Sequence, residues 1–184
     1  MVKDDILAYP EPILLRKARE VTEEEFKKGE IEGESLTSLS ERMLMLCRNA
    51  KGAGLAAPQV GVGVRMFVAF KRDLEPLVAF NPEVLNPEGE EESIEGCLSL
   101  PGILLSVKRA RKVLLKYKDS SGNPQETEAE GLFAREAQHE SDHLDGVLIT
   151  KRANLIANVG ARKIVKGLED AYAKRMVPKK ARKA

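Results

Sequence analysis

The stretch from residue 36 to residue 50 has the apolar spacing of an amphipathic helix. Apolar residues follow Leu36 at steps of 3, 4, 3 and 4 positions, at Leu39, Met43, Leu46 and Ala50. This spacing places them on one face, which predicts a helix packed against a core. Ser35 or Thr37 can cap the start of this helix, and Gly52 can end it.

The middle of the chain has a different pattern. Short apolar stretches that predict strands occur at residues 66–70, 77–80 and 113–117. The sequence DSSGNP that follows the third stretch is typical of a turn. We therefore expect residues 113–117 and the polar stretch 126–130 to pair as a hairpin with one face in solvent.

The first 35 residues carry turn-forming residues and charge. Pro10, Pro12, Gly29 and Gly33 interrupt them, and the run TEEEFKKGEIEGE alternates acidic and basic residues. This composition predicts an extended lead-in followed by a solvated loop.

Two further helices are predicted after the strands, at about residues 132–144 and 155–172. Strands that gather between helices, rather than alternating with them, predict an α+β fold. No internal repeat and no linker composition divides the chain, so we expect one domain.

Composition and charge exclude several classes of protein. Of 184 residues, 42% are apolar and 32% charged, and a net charge of +1 gives no global field for specific DNA binding. No apolar run approaches the roughly 20 residues of a membrane helix. The opening MVKDDILAYPEP contains acids that targeting peptides avoid. The two cysteines, Cys47 and Cys97, fit a reducing compartment, and we expect a cytoplasmic protein.

The two histidines of the chain, His139 and His143, lie in the sequence QHESDHLDG. On a helix, four residues advance about 400°, so both imidazoles project from one face and can bind one metal ion. Glu140 lies about 100° around the helix, where it can take a proton from water instead of binding the metal. The alternative is a pair of hydrogen-bonded histidines that bind no metal.

A metal held by two histidines needs a third ligand. The metzincin pattern requires another histidine beyond Gly146, but apolar residues begin at Val147, which excludes that pattern. Glu169 is one candidate, as in a thermolysin-like site. Cys97 is the other, because a thiolate suits zinc or ferrous iron and Gly96 allows close approach. Taken alone, such a cysteine is more often a small residue buried without chemistry in a core.

Three spaced segments carry a resemblance to a known family: GxGLAAPQ at 52–59, EGCLS at 95–99 and QHExDHLxG at 138–146. Together with ILAYPEPILLRKA and FNPEVLNP, they resemble the peptide deformylases over roughly residues 5–172. The resemblance implies an α+β fold with antiparallel strands around a central HExxH helix and a C-terminal helix. It implies a single catalytic domain at 1–172, with a basic tail at 173–184. The implied activity is metal-dependent removal of the formyl group from nascent N-formylmethionyl peptides, with release of formate.

The resemblance also implies a ligand set. Cys97, His139 and His143 would hold a divalent metal ion, and the fourth position would be left to water. Glu140 would act first as base and then as acid. The metal of the family is usually Fe²⁺, although Zn²⁺, Ni²⁺ or Co²⁺ can occupy the site, and the softness of the ligands does not choose between iron and zinc.

Two further roles follow from the same resemblance. The side-chain amide of Gln59 and the backbone N–H of Leu98 would stabilise the oxyanion. The backbone of Ala53, Gly54 and Gly96 would pair with a substrate that lies as an extended strand. Considered alone, the segment GAGLAAPQ is also typical of a tight turn that leaves a helix.

Some charged residues near the motifs admit two interpretations. Glu95 and Arg109 form either an ion pair that supports the metal ligands or two separate surface charges. Arg135 and Glu136 depart from the family, which has small or apolar residues beside the pocket for the methionine side chain. They indicate a narrower, wetter or differently selective pocket, unless both point to solvent or to a surface ion pair.

The last 14 residues carry six bases and no acid: Lys174, Arg175, Lys179, Lys180, Arg182 and Lys183. Such an end can bind a phosphate backbone, and bacterial relatives dock on the ribosome through a C-terminal helix. A solvated terminus is the alternative. Two other functions are an HExxH endopeptidase that uses Glu169 and a non-catalytic, metal-stabilised module that associates with ribosomes.

Overall fold

The computed structural model of the protein describes residues 5–71, 74–153 and 155–176. The strands within these ranges are β1 (Glu30–Ile31), β2 (Glu34–Ser35), β3 (Gly54–Ala56), β4 (Met66–Phe70), β5 (Pro76–Glu88), β6 (Glu91–Gly96), β7 (Leu104–Arg109), β8 (Lys112–Lys118) and β9 (Pro124–Glu130). One antiparallel sheet has the order β3–β4–β5–β8–β9. The pairs β1–β2 and β6–β7 form separate antiparallel hairpins.

The helices stand before, between and after these strands. They are α1 (Glu23–Lys28), α2 (Leu36–Asn49), α3 (Leu132–Leu144), α4 (Ile149–Arg152) and α5 (Leu155–Met176). Single 3₁₀ turns occur at Pro12–Leu15 and Ala57–Val60. The α+β fold and the C-terminal helix expected from the sequence are confirmed.

The helix predicted from residue 36 is α2. Its cap is Ser35, whose hydroxyl oxygen accepts a hydrogen bond from the Ser38 amide at 3.0 Å. Leu39 and Met43, on the predicted apolar face, are fully buried. The predicted hairpin is β8–β9, with Lys116 opposite Glu126.

Strand β5 is longer than the stretch 77–80 that predicted it. Two prolines in its second half are more typical of a loop, so the sequence did not predict that half as a strand. The pairing of β5 with β8 shifts register after Phe80 and again after Leu85. Pro82 and Pro87 fall in these irregular positions, where a missing amide costs no hydrogen bond of the ladder.

The expectation of a solvated loop within residues 1–35 is wrong for α1 and β1. Thr22 caps α1, since its hydroxyl accepts from the Glu25 amide at 3.2 Å while the Glu25 carboxylate accepts from the Thr22 amide at 2.9 Å. Phe26 and Ile31 are buried in the core. The charged run hid these two apolar anchors, although its T-x-x-E sequence is a capping signal.

Helix α3 lies at the centre of the molecule and packs against β3, β4, β5 and β9. Eight of its 13 residues are buried: Ala134, Arg135, Ala137, His139, Glu140, Asp142, His143 and Leu144. Five of these carry ionisable or ring-nitrogen groups. Burial of so many polar side chains on one helix requires partners or a functional reason.

The C-terminal helix α5 covers the stretch predicted at 155–172 and continues to Met176. Lys174 and Arg175 of the basic tail lie in its last turn. The other four basic residues of the tail fall outside the described residues. Among the helices that the structure describes, none combines the length and the apolar composition required to cross a membrane.

Candidate active site

Two distant segments meet at the centre of the molecule. Helix α3 supplies His139 and His143 from one face, and the loop that directly follows β6 supplies Cys97. One ligand atom from each residue lies within 4.8 Å of the other two, and the Cys97 sulfur is 3.2 Å from Nε2 of His143. Cys97 is a free thiol. A thiolate with two imidazoles is a donor set that suits zinc or ferrous iron, so these residues fit a divalent metal ion.

The position of Cys97 depends on the residue two places before it. Glu95 is buried on β6 and accepts hydrogen bonds from Nε of Arg109 at 2.7 Å and from its Nη2 at 3.0 Å. Its second oxygen lies 3.0 Å from Nδ1 of His139. Glu95 therefore joins the hairpin that carries the cysteine to the helix that carries the histidines, and the interpretation of Glu95 and Arg109 as separate surface charges is wrong.

The charge state of Glu95 fixes the tautomer of His139. Burial opposes ionisation of Glu95, but hydrogen bonds from His139 and Arg109 outweigh it and hold its pKa at about 2. An ionised carboxylate only accepts hydrogen bonds, so Nδ1 of His139 carries a proton and Nε2 is left as the atom that can bind a metal. Burial opposes a charge on His139, but its hydrogen bonds to Cys97 and Glu95 raise its pKa well above the ordinary value, so binding of a metal at Nε2 releases a proton. Burial lowers the pKa of His143 well below its ordinary value, which favours the neutral, metal-binding imidazole.

Arg135 is a second anchor of the same hairpin. Its guanidinium donates to Glu95 at 2.7 Å, to the Val107 carbonyl at 3.0 Å and to the Glu91 carbonyl at 2.8 Å. The side chain is only 8% exposed. The alternative in which Arg135 points to solvent or to a surface ion pair is therefore wrong, and Arg135 ties α3 to both strands of the hairpin.

Asp142, on α3, completes this buried network. It accepts from Nη1 of Arg109 at 2.8 Å and from Nε of Arg152 at 3.0 Å. Arg109 thus lies between two carboxylates, Glu95 and Asp142. Paired and hydrogen-bonded charges of this kind hold the metal ligands in fixed orientations.

Glu140 differs from these satisfied acids. It is 2% exposed, and its Oε2 atom has no hydrogen-bond partner among the described residues. Burial raises the pKa of Glu140 to about 8. Its other oxygen faces β3, where a Cβ atom added at Gly54 would lie only 2.6 Å away. The absence of a side chain at Gly54 therefore makes the space that Glu140 occupies.

Gln59 is placed by the turn that ends β3. Its Oε1 accepts from the Ala56 amide at 2.8 Å, which leaves Nε2 to donate to Ser99 Oγ at 3.1 Å, with the Cys97 sulfur 3.9 Å away. Ser99 donates in turn to the Leu7 carbonyl at 2.7 Å. The segment GAGLAAPQ is therefore a strand and a 3₁₀ turn that bring an amide to the cysteine, rather than only a turn that leaves a helix.

Leu98 and Cys47 border the site. Leu98 follows the cysteine ligand, and a Cβ atom added at Gly52 would lie 3.0 Å from its side chain and 3.3 Å from the Cys47 sulfur. Cys47 itself is fully buried, and burial raises its pKa to about 12. Cys47 is therefore a core residue of α2.

Residues 3–158 match the family model for polypeptide deformylases. The chain belongs to this family. A peptide deformylase of Dictyoglomus thermophilum is 42% identical over 149 residues, which span 81% of this chain and 92% of the relative. One of Thermodesulfovibrio yellowstonii is 44% identical over 149 residues, spanning 79% and 86%. The crystal structure of peptide deformylase from Thermus thermophilus has a TM-score of 0.82 at 38% identity and covers 93% of this chain and 98% of that chain.

Membership of the deformylase family decides between the functions that the sequence left open. The protein is a deformylase enzyme, and Cys97, His139 and His143 are the Cys/His/His metal site typical of deformylases. The endopeptidase alternative is wrong, because Glu169 is exposed on α5 and accepts a hydrogen bond from Tyr9 at 2.7 Å instead of approaching the histidines. The non-catalytic module is excluded by the same membership.

Sequence reasoning missed three residues that position the deformylase site. Ser99 orients Gln59, and Asp142 and Arg152 complete the ionic network. A signal existed for two of them, since Ser99 lies two residues after the cysteine ligand and Asp142 lies directly before His143. Arg152 is the last residue of α4, and only the folded chain brings it to Asp142.

Proposed function

We propose that this site hydrolyses the formyl group of N-formylmethionyl peptides and that its residues divide the work between metal binding, proton transfer, stabilisation of the oxyanion and binding of the peptide. The observation that carries this proposal is the convergence of three ligand atoms within 4.8 Å beside a buried carboxyl group with an unpartnered oxygen. A structural metal site has no use for such a carboxyl group and closes its fourth position. A hydrolytic site needs the carboxyl group and an open fourth position.

The resident metal is proposed to be ferrous iron. When bound by Cys97, His139 and His143, a divalent cation supplies the positive charge that lowers the pKa of water to near neutral and makes it a nucleophile. The single thiolate and two imidazoles suit iron, zinc, nickel and cobalt, so iron rests on the usual choice of the family.

Glu140 is proposed to move the proton. Its raised pKa matches a group that must gain a proton from water and then lose it near neutral pH. The unpartnered Oε2 is the atom that receives the proton, and the amine of the departing peptide receives it afterwards. This transfer leaves formate and a peptide with a free N-terminus.

Gln59 and Leu98 are proposed to hold the charge that develops on the formyl oxygen. The Gln59 amide is fixed by Ala56 and Ser99, so its N–H group is oriented before substrate arrives. The backbone N–H of Leu98 follows the cysteine ligand directly. Donors oriented in advance are worth more than donors that must rearrange.

The substrate is proposed to add to the open edge of β3. Strand β3 pairs only with β4 among the described residues. The Ala53 carbonyl accepts from the Phe70 amide at 3.0 Å, so by the alternation of a strand the polar groups of Gly54 point the other way, towards the cleft. Gly96 ends β6 directly before the cysteine ligand. An extended peptide between Gly54 and Gly96 would place its formyl end at the metal ligands.

The assignment of the metal site is tested with anaerobically purified protein and formyl-Met-Ala-Ser. We expect formate release with ferrous iron at a higher rate than with zinc, nickel or cobalt. Cys97→Ala is expected to bind no metal and to release no formate, whereas Cys47→Ala is expected to keep both properties. Metal retention in Cys97→Ala would remove the cysteine from the ligand set.

A role on the ribosome is proposed for the basic end at residues 173–184, which follows the catalytic domain at 1–172. Lys174 and Arg175 bring positive charge to the last turn of α5, where a phosphate backbone can be bound. Such a role implies the cytoplasm or an organelle with its own ribosomes. Sedimentation with ribosomes at low and high salt is the test, and equal recovery after deletion of residues 173–184 would contradict it.

A further inference from the structure

A cavity of about 480 Å³ lies between the C-terminal helix α5 and the body of the protein. Its walls come from α5 and α4, from the turn at Pro12–Leu15 and from the loop that follows Cys97. Among the described residues that line it, none is a metal ligand and none is proposed to bind substrate or to move protons. The cavity is therefore a separate site from the one that carries the reaction.

The inner wall of this cavity is apolar. Leu100, Leu148 and Ala161 line it, and all three are buried members of one core cluster. Val165, one turn after Ala161 on α5, packs against the same cluster. Protein interiors are close-packed, with few voids larger than a water molecule. A volume of about 480 Å³ beside core side chains lies instead in the range of small-molecule sites, about 300–1,000 Å³.

The rim of the cavity carries an excess of positive charge. Four charged side chains line it: Lys151, Arg162, Lys166 and Glu169. Three of them are bases and only one is an acid. The acid is already bonded, since Glu169 accepts a hydrogen bond from the Tyr9 hydroxyl at 2.7 Å. The rim therefore attracts a negatively charged group.

Two of the three bases have no partner within the chain. Lys166 lies 3.4 Å from the Asp170 carboxylate, which offsets its charge. Lys151 and Arg162 are exposed, and in the part of the chain that the structure describes no ion pair and no side-chain hydrogen bond reaches either of them. A guanidinium presents its N–H donors in a planar fork that matches a carboxylate or a phosphate.

The positions on α5 give the cavity a direction. Arg162 precedes Glu169 by seven residues, which is roughly 10 Å along a helix. Val165 lies between them on the cavity wall, and the ring of Tyr9 stands beside Glu169. The cavity therefore has a basic end and an apolar length, which together fit an elongated ligand with one negative end.

We propose that this cavity is a binding site for a small amphiphile with one anionic head group and an unbranched apolar body. The head group, a carboxylate or a phosphate, is held by Lys151 and Arg162. The body lies over Leu100, Leu148 and Ala161, and its burial supplies most of the affinity. Single-chain fatty acids and alkyl phosphates have this chemistry.

Isothermal titration calorimetry of the metal-loaded enzyme tests the proposal with four probes, each below its micellar concentration: decanoate, decyl phosphate, butyrate and decyltrimethylammonium. We expect one decanoate or decyl phosphate to bind per chain, and the tighter of the two identifies the head group. Butyrate is expected to bind at least about 100-fold more weakly, because it lacks most of the apolar body. Decyltrimethylammonium, which has the same body and the opposite charge, is expected not to bind.

Two variants locate the site. The double variant Lys151→Gln/Arg162→Gln is expected to weaken the binding of both anions about 10-fold, since hydrogen bonds to charged groups contribute factors of this order. Its matched control is Lys27→Gln/Lys163→Gln, which removes the same charge from exposed positions outside the cavity and should leave the affinity unchanged. Ala161→Leu places a larger side chain on the cavity wall and should also weaken binding.

The proposal is overturned if neither anion binds saturably, if decyltrimethylammonium binds as tightly as decanoate, or if the affinity is unchanged in Lys151→Gln/Arg162→Gln. Chelator-treated wild type is expected to bind both anions as the loaded enzyme does. Loss of binding there would place the head group at the metal ligands and also overturn the proposal. An enzyme that binds both anions but releases no formate would contradict the proposed function alone.

Discussion

The charged side chains on two faces of helix α3 have opposite surroundings: those on one face are paired by hydrogen bonds, and those on the other have raised pKa values. Arg135 and Asp142, about 20° apart around the helix, are buried and hydrogen-bonded to β6, β7 and α4. Glu136 and Glu140, about 40° apart and roughly a quarter-turn or more away from the first pair, have carboxyl groups with raised pKa values. The satisfied face holds the ionic network, and the proposed proton carrier, Glu140, lies on the other face.

His139 and His143 lie between these two faces, at about 40° and 80° from Arg135. Nδ1 of His139 contacts Glu95, which belongs to the buried ionic network. Nε2 of His143 contacts the Cys97 sulfur, and His143 lies closer around the helix to Glu136 and Glu140. The metal ligands thus stand at the boundary between a rigid ionic scaffold and a reactive cleft. Removing a charged residue from the reactive side should lower activity, whereas removing one from the satisfied side should lower stability.

The largest effect is expected on the reactive face. Glu140→Ala removes the proposed proton carrier, so formate release should fall by about 10³-fold or more while the metal stays bound. The rate is measured with formyl-Met-Ala-Ser, and metal content by elemental analysis. A variant that retains a tenth of the activity would exclude Glu140 as the base.

The next effect is expected on the satisfied face. Arg109→Ala leaves Glu95 and Asp142 buried with fewer partners, which should lower the free energy of unfolding by about 3–5 kcal/mol. Urea unfolding of the variant and the wild type measures this. The matched control is Lys108→Ala, whose exposed ion pair with Glu90 should contribute almost nothing. Equal stability of the two variants would contradict the structural role of the network.

A smaller effect is expected where β3 meets the reactive face. In Gly54→Ala the new methyl group must displace the Glu140 carboxyl, so kcat/KM should fall about 100-fold with little change in the unfolding midpoint. Gly167→Ala on α5 is the control, because nothing lies within 4 Å of the added carbon, and a slight gain in stability is expected there. Full activity of Gly54→Ala would contradict the close contact between Gly54 and the Glu140 carboxyl group.

The smallest effect concerns the pH dependence of stability. The pKa of Glu95 is about 2 in the folded protein and 4.5 in its ordinary state. Its full contribution, about 3 kcal/mol for a shift of this size, is therefore present above pH 4.5 and is lost as the pH falls towards 2, with about 2 kcal/mol of it lost by pH 3. Urea unfolding of chelator-treated protein between pH 7 and pH 3 measures this loss without a contribution from metal release. Glu95→Gln should flatten the curve in this range, and an unchanged slope would contradict the pairing.

The sequence predicted the elements whose signals are local. The spacing of apolar residues predicted α2, an apolar stretch followed by the turn DSSGNP predicted the β8–β9 hairpin, and two histidines four residues apart predicted half of the metal site. The third ligand followed only from the resemblance of EGCLS to a family, because a lone cysteine carries no periodic signal. The depth of Arg135 and the pairing of Arg152 with Asp142 could not be predicted, since burial of a charge depends on partners that are distant in the chain.

The hairpin β6–β7 was missed for a related reason. Its first strand reads EESIEG and exposes most of its residues, so neither alternation nor apolar content distinguishes it from a loop. What makes it a strand is its pairing with β7, from Glu91 opposite Arg109 to Gly96 opposite Leu104. The same pairing delivers the cysteine to the histidines.

Strand β3 has only three residues, and the side chain of Gln59 occupies the amide of its last one, Ala56. A peptide that adds to this edge as proposed meets a blocked end after Gly54. The edge that β3 offers to a peptide is therefore short, because its last amide is already bonded within the chain.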